Sequence, residues 1–237
     1  MKYDLSKFER GLEELNITLS DEQVDQFMKY YEMLIEKNKV MNLTTITEFD
    51  EVIEKHFLDS LFLIKQINLH QEISMIDLGT GAGFPGIPLK IAFPELKITL
   101  VDSLNKRILF LQEVIDELGL KNISAVHERA EIIANNPDYR EQFDLCVSRA
   151  VANLSTLSEY CLPFVKTGGA FVSYKSGDCD EEVAAAKNAI FLVGGKLRTV
   201  DKFSIGDSGR AFVVIDKIKK TPKQYPRKAG TPAKEPL

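Results

Sequence analysis

The sequence of 237 residues has no tryptophan, three histidines and three cysteines. Cys146, Cys161 and Cys179 are odd in number and none forms a C-x-x-C pair, so neither a disulfide framework nor a cysteine zinc site is expected. We therefore expect reduced, buried thiols and no bound metal.

Long apolar runs are absent as well. No stretch approaches the ~18 consecutive apolar residues that identify a membrane helix. The start Met1-Lys2-Tyr3-Asp4 is not followed by the apolar stretch of a secretory leader. We expect a cytoplasmic protein with no membrane partner.

Net positive charge is confined to the end of the chain, and the rest is net negative. The net formal charge is -5, yet residues 217–237 contain seven Lys or Arg and one Glu. Any contact with nucleic acid is therefore expected to be local. Four of the nine prolines lie in residues 221–237, so we expect a basic, extended tail there.

The pattern of residues 1–70 predicts a helical extension. Apolar residues recur at i, i+3, i+4 and i+7 after a capping box formed by Ser20 and Gln23. A second helical pattern runs from about residue 48 to 67, with Thr47 as its expected cap.

Residues 71–220 are expected to form an α/β domain in which short apolar strands alternate with helices, the last helix covering about 180–192. The predicted strands are 73–76, 98–101, 123–126, 143–147 and 170–174, followed by a hairpin of 197–205 and 210–218. The fold class is thus a doubly wound, mostly parallel sheet with an N-terminal helical extension and an antiparallel edge strand.

The first strand leads into a glycine loop, Asp77-Leu78-Gly79-Thr80-Gly81-Ala82-Gly83-Phe84. Glycines at the carboxyl end of a parallel strand let backbone amides approach a nucleotide. The run Gly81 to Gly86, with Asp102 further on, also fits the dinucleotide fingerprint, so the pattern alone permits NAD.

Three features favour S-adenosylmethionine as the cofactor. Asp77 puts a carboxylate where it can meet a sulfonium or an amine, and Pro85 and Pro88 remove amide donors that a pyrophosphate would need. The chain also leaves little room for the second domain of many dehydrogenases. We predict a class I S-adenosylmethionine-dependent methyltransferase with a Rossmann-like fold.

Three further positions lie at predicted strand ends. Asp102 can accept hydrogen bonds from ribose hydroxyls, with a helix cap as its alternative role. Backbone amides near Ala130 can bind the adenine edge, although capping by Glu131 fits the pattern almost equally well. Arg149 lies at the switch point of the sheet, where a ligand contact is favoured over a salt bridge to a helix.

Missing motifs narrow the chemistry. The sequence after strand four, Ser148-Arg149-Ala150-Val151, lacks the Pro-Pro-aromatic motif typical of many enzymes that methylate exocyclic amines, and no cysteine follows a proline as carbon-5 methylation of pyrimidines requires. A purine N7 has an available lone pair and needs no general base. Catalysis would then depend on in-line positioning, with no catalytic residue assigned.

His56, Asp59 and Ser60 share one helix and are not expected to form a hydrolase triad.

The sequence resembles the bacterial RsmG/GidB family over nearly its whole length. The motifs that carry the resemblance are Asn42-Leu43-Thr44, His56-Phe57-x-Asp59-Ser60, Gly79 to Pro85, Val101-Asp102-Ser103-x-Asn105-Lys106-Arg107, Arg129-Ala130-Glu131, Arg149-Ala150-Val151 and Tyr225-Pro226-Arg227-Lys228-x-Gly230-Thr231-Pro232.

The resemblance implies methylation of guanine N7 in 16S ribosomal RNA, with the RNA or the small ribosomal subunit as partner. It also implies a set of residues that contact S-adenosylmethionine: Gly79, Phe84, Ala130, Glu131 and Arg149. The residue pattern itself adds Gly81 and Asp102 to this set.

Arg227 and Lys228 are expected to contact RNA phosphates, and Phe84 or Tyr174 to stack on an unpaired guanine. A solvated tail without RNA contact is the alternative. An NAD-dependent oxidoreductase and a non-catalytic RNA-binding assembly protein stay open as other functions.

Overall fold

A computed structural model describes residues 3–149 and 152–237. The described strands are β1 (Ser74–Leu78), β2 (Lys97–Asp102), β3 (Ile123–His127), β4 (Phe143–Arg149), β5 (Val165–Ser176), β6 (Gly195–Ile205) and β7 (Ser208–Lys217). The described α-helices are α1 (Ser6–Leu15), α2 (Asp21–Met41), α3 (Phe49–Val52), α4 (Asp59–Leu61), α5 (Gly86–Ala92), α6 (Asn105–Glu117), α7 (Ala130–Ile133), α8 (Leu154–Cys161), α9 (Asp180–Ala185), α10 (Lys187–Leu192) and α11 (Thr231–Lys234).

The seven strands form one sheet in the order β3-β2-β1-β4-β5-β7-β6. Strands β1 to β5 pair in parallel, and β7 pairs antiparallel with both β5 and β6. The predicted fold class and hairpin are confirmed. Because the chain runs outward from β1 in one direction and from β4 in the other, the switch point lies between these two strands.

Alternating side chains of the strands enter two separate cores, one on each face of the sheet. Met75 of β1 and Leu100 of β2 belong to the core that includes helices α1, α2, α5 and α6. Ile76 and Val101, one residue further along each strand, belong to the core that includes α8 and α10. The sheet is therefore covered on both faces, as apolar parallel strands require.

The N-terminal helices share the first of these cores with the sheet. Ser20 caps α2 in the predicted capping box with Gln23. Helix α2 buries Phe27 and Tyr30, and the Tyr30 hydroxyl donates a 2.6 Å hydrogen bond to the carbonyl of Ala82 in the glycine loop. The extension thus supports the loop directly.

The predicted helix over residues 48–67 is a chain of short helical segments. Helix α3 continues into a π-helical turn, Ile53–Leu58, then into α4 and a 3₁₀ turn, Phe62–Lys65. Thr47 was the wrong cap, because Glu48 precedes the helix and no side chain caps it. The Thr47 carbonyl instead accepts a hydrogen bond from Tyr31.

Two predictions for the C-terminal third need correction. The helix expected at 180–192 is divided into α9 and α10 around Ala186. The tail is not extended throughout, because helix α11 forms with Pro232 in its first turn, where a missing N–H is tolerated. Tyr225 and Pro232 are buried, so packing against the body determines the path of this segment.

None of the described helices combines the length and apolarity needed to cross a bilayer.

Candidate active site

A crevice opens where β1 and β4 end, at the switch point. It contains two neighbouring cavities, of about 710 Å³ and about 270 Å³. Gly79, directly after β1, lines both of them. Phe84 and Arg149 line the larger cavity, and Ala130 and Glu131 line the smaller one. With Gly81, which also lines the larger cavity, the structure thus brings together six of the seven residues predicted to bind the cofactor.

The glycine loop has a conformation that side chains disfavour. Gly79, Gly81 and Gly83 have positive φ angles of 72°, 63° and 109°, where L-residues are strained. A Cβ on Gly83 would also lie 2.7 Å from the Tyr30 hydroxyl. Around Gly81 no atom lies within 4 Å of such a Cβ, so this glycine, also a lining residue of the larger cavity, borders open space.

Asp77, at the end of β1, holds the glycine loop through hydrogen bonds. One carboxylate oxygen, Oδ2, accepts hydrogen bonds from Thr80 Oγ1 at 2.7 Å and from the Gly86 N–H at 2.9 Å. The other, Oδ1, is buried without a partner among the described residues. Complete burial raises the pKa of Asp77 to about 6. The carboxylate lines neither cavity, so the role visible in its contacts is to hold the loop.

Asp102 holds the loop from the neighbouring strand. Its Oδ2 accepts hydrogen bonds from the Gly81 N–H at 3.0 Å and from Arg107 Nη1 at 3.1 Å, and its Oδ1 accepts one from the Leu104 N–H at 2.9 Å. The side chain is buried. Each oxygen keeps some acceptor capacity, so the predicted ribose contact stays a prediction beside this structural role.

Ala130 and Glu131 begin helix α7 after β3 and face the smaller cavity. The buried Glu131 carboxylate accepts a 2.8 Å hydrogen bond from the N–H of Gly230, which comes from the C-terminal segment. Burial, with Glu131 nearby, raises the pKa of Tyr160 to about 12. Glu131 therefore joins α7, α8 and the chain end at one site.

Arg149 forms a salt bridge to a helix, which the sequence had left as its alternative role, and its partners were not among the predicted site residues. Its Nη1 donates to the Lys55 carbonyl at 2.9 Å and to Asp59 Oδ2 at 2.8 Å, and its Nη2 lies 3.1 Å from His56 Nδ1. Asp59 also accepts a 2.8 Å hydrogen bond from Arg210. The i, i+3 spacing of His56 and Asp59 puts both on one helix face, and this spacing was the sequence feature that could have indicated a shared partner.

His56 connects this cluster to Phe84. The two rings stack with centroids 4.4 Å apart, and His56 Nε2 lies 2.9 Å from Thr44 Oγ1. Burial and the Arg149 charge lower the pKa of His56 to about 3, so the ring is neutral at physiological pH. The Arg149 guanidinium carbon lies 5.1 Å from the centroid of the Phe84 ring.

Cationic side chains outnumber carboxylates in the lining of the larger cavity, although the chain is acidic. Five cationic side chains line it: Lys55, Arg107, Arg149, Lys175 and Arg210. The two carboxylates that line it are paired, Asp59 with two arginines and Glu182 with Lys175 at 2.6 Å. Lys55 and Arg107 pair with Glu51 and Asp102, which lie outside the lining. Clusters of three or more His, Cys, Asp or Glu suited to a metal are absent from residues 3–149 and 152–237.

The two residues predicted to bind RNA have different surroundings. Arg227 Nη2 forms a 2.7 Å ion pair with the buried carboxylate of Glu159, whereas Lys228 is exposed. Phe84 and Tyr174 are each 5% exposed, which leaves little ring surface for stacking on a base. Ala150 and Val151, part of the motif after strand four, lie outside the described residues.

Most of the chain is similar in sequence to a known family. The model of the family GidB, described as rRNA small subunit methyltransferase G, matches residues 23–213. The chain belongs to the GidB family.

Relatives of this GidB chain are similar over nearly the full length. The ribosomal RNA small subunit methyltransferase G of Lachnoclostridium phytofermentans is 55% identical over 236 residues, which cover 99% of this chain and 98% of the relative. The protein of the same name from Staphylococcus carnosus is 53% identical and covers 95% of each chain. These names agree with the predicted methyltransferase and support neither the oxidoreductase nor the non-catalytic alternative.

Solved structures share the fold at low sequence identity. TrmN from Thermus thermophilus has a TM-score of 0.54 at 16% identity, covering 70% of this chain and 53% of TrmN. A mutant 16S rRNA (adenine(1408)-N(1))-methyltransferase from Catenulisporales acidiphilia, solved with SAM, has a TM-score of 0.54 at 14% identity. The match covers 65% of this chain and 88% of that methyltransferase. The likeness concerns the fold alone and agrees with the class I methyltransferase architecture.

The raised pKa of Asp77 predicts how the stability of this GidB protein depends on pH. The unfolded carboxyl has a pKa of about 3.9, so between about pH 4 and pH 6 the folded chain binds the proton more tightly. This carboxyl therefore contributes stability below pH 4 that is lost as pH rises through about 6. Relative to an Asp77→Asn variant, the wild type should gain on the order of 2 kcal/mol of unfolding free energy from pH 7 to pH 4. Denaturant titrations at both pH values measure it, and a pH-independent difference would contradict it.

Proposed function

We propose that this chain transfers the methyl group of S-adenosylmethionine to N7 of a guanine in 16S ribosomal RNA, and that it works in the cytoplasm where this RNA is found. The observation that carries the proposal is the pair of cavities that meet at Gly79, one bordered by Ala130 and Glu131 and the other cationic. The relatives' name, which specifies small-subunit ribosomal RNA, supports the substrate.

The residues of the crevice fit the proposed cofactor, which supplies an electrophilic methyl group on a sulfonium. Gly79 and Gly81 leave backbone without side chains at the junction of the cavities, so the loop admits a ligand close to its amides. An uncharged adenine suits the smaller cavity, where Ala130 and Glu131 lie beside Gly79. The Asp77 carboxylate lies outside the lining of both cavities, so it supports the cofactor indirectly, through the loop that it holds.

No general base is free in the larger cavity among the residues that the structure describes. Asp59 and Glu182 are held in ion pairs, and both ring nitrogens of His56 lie within hydrogen-bond distance of other groups. A purine N7 presents a lone pair in the plane of its ring and loses no proton before attack. The chain's contribution is then to hold the nucleophile in line with the methyl group, an effect that reaches about 7–11 kcal/mol in favourable cases.

The cationic lining of the larger cavity suits the phosphates that flank a target guanine. Arg149 and Arg210 share Asp59, so this carboxylate neutralises only part of their charge. Lys228 is exposed and adds a cation outside the crevice. RNA contact by Lys228 is part of the proposal, whereas the guanidinium of Arg227 would have to leave a buried carboxylate to reach RNA.

The direct test is transfer of labelled methyl groups to small-subunit RNA. Incubation with labelled S-adenosylmethionine and either naked 16S RNA or small subunits should label one guanine, mapped by chain cleavage at 7-methylguanine. A label on an exocyclic amine or on carbon 5 would contradict the proposed chemistry, and no label on either substrate would contradict the proposed enzyme.

Gly79→Asp should abolish binding of S-adenosylmethionine, because a charged side chain would stand between the two cavities on a backbone with positive φ. Isothermal calorimetry measures the affinity. Gly119→Asp is the matched control, since Gly119 has φ 63° and lies beyond the end of α6, outside the lining of both cavities. Unchanged affinity in Gly79→Asp would remove the loop from the cofactor site.

Lys228→Glu should raise the KM for RNA at moderate salt. Losing one phosphate contact reduces the slope of log KM against log salt by about 1. The matched control is Lys121→Glu, because Lys121 is exposed just before the amino end of β3, whereas the crevice lies beyond the carboxyl ends of the strands. If the two variants have the same slope as the wild type, Lys228 does not contact RNA.

A further inference from the structure

The C-terminal segment, residues 221–237, is fixed to the body by polar contacts along its length. At its start, Arg140 Nη2 donates to the Thr221 carbonyl at 3.0 Å, and Arg140 Nη1 donates to the Tyr225 carbonyl at 3.0 Å. The Tyr225 side chain is buried in the core on the α8 face of the sheet. The segment therefore has a defined position before it reaches its basic residues.

Arg227 forms the strongest of these attachments. Its backbone N–H and Nε both donate to Glu159 Oε1, at 2.7 and 3.0 Å, and Nη2 donates to Oε2 at 2.7 Å. The Glu159 side chain is 0% exposed. An unpaired carboxylate at that depth would be strongly unfavourable, so α8 requires the tail as much as the tail requires α8.

Beyond this ion pair the segment turns back to the crevice. The Gly230 N–H donates to Glu131 Oε1 at 2.8 Å, and the Pro232 carbonyl accepts a 3.0 Å hydrogen bond from Thr156 of α8. Gly230 and Ala233 then line the smaller cavity, together with residues that follow β1, β2 and β3. One wall of this cavity therefore belongs to the last eight residues of the chain.

We propose that the C-terminal segment is part of the cofactor site: Gly230 and Ala233 form a wall of the adenosine pocket, and the Arg227–Glu159 ion pair holds this wall in place. The inference rests on the proposed function, since it takes the adenosine of S-adenosylmethionine as the occupant of the smaller cavity. It gives Arg227 a positioning role in place of the RNA contact expected from its charge.

The decisive variant is Ala233→Leu, with Ala229→Leu as its matched control. Both alanines are exposed residues of the same segment, but only Ala233 lines the cavity. The larger side chain at 233 should occupy cavity space and weaken binding of S-adenosylmethionine roughly 10-fold or more in calorimetry, while Ala229→Leu binds like the wild type. Circular dichroism and thermal melting establish that both variants are folded.

A fragment of the cofactor distinguishes a local wall from a general disturbance. 5′-Methylthioadenosine lacks the amino-acid portion, and Ala233→Leu should weaken its binding by the same factor as that of S-adenosylmethionine. Weakened binding of the whole cofactor with unchanged binding of the fragment would overturn the assignment of this wall to adenosine.

The ion pair is tested by Arg227→Met beside Lys223→Met, an exposed lysine of the same segment. Arg227→Met should weaken cofactor binding in the absence of RNA, whereas Lys223→Met should not. If the wild type binds S-adenosylmethionine and Ala233→Leu binds it equally well, this inference is wrong and the proposed function stands. A folded wild type that does not bind the cofactor would overturn the proposed function and the inference together.

Discussion

Two buried carboxylates, Asp77 and Asp102, hold the glycine loop in a conformation that it would not keep alone. The loop contains three residues with positive φ, and the Gly81 N–H at its centre donates to a side chain and not to a backbone carbonyl. Asp77 fastens the far end through Gly86, and Asp102 fastens the middle through Gly81. Both cavities border this loop, so their shape depends on these hydrogen bonds. The bonds that the single paired oxygen of Asp77 accepts offset only part of the unfavourable burial, and its pKa stays raised.

The site also depends on contacts from the N-terminal helices. Tyr30 of α2 donates to the loop carbonyl of Ala82, and the segment after α3 contributes His56 and Asp59 to the surroundings of Arg149. An arginine at the end of β4 with no such partners would keep its rotamer freedom. The helical extension is therefore a part of the site and not a separate appendage, because it fixes both the loop and the arginine that the sheet brings together.

The sequence predicted those features that depend on local pattern. Apolar strand runs and glycine spacing were sufficient for the sheet, the switch point and the location of Gly79, Ala130 and Arg149. The direction of a side chain at a strand end was not predictable, because it depends on partners far along the chain. The sequence did not indicate that Asp102 bonds the loop, or that Arg227 pairs with Glu159, 68 residues earlier. The short helix α11 forms through docking, which no propensity in a four-residue segment can reveal.

The distribution of charged side chains limits where RNA can contact the protein. A chain with net charge -5 repels RNA as a whole, yet five cations and only two carboxylates line the larger cavity. Screening limits each field to about 8 Å at physiological salt, so the acidic body weakens contact elsewhere while the crevice attracts phosphate at short range. With Arg227 neutralised by Glu159, the tail adds less to this attraction than its sequence indicates. Selection of an RNA segment would then depend on whether its phosphates can reach into the crevice, a requirement of shape more than of overall charge.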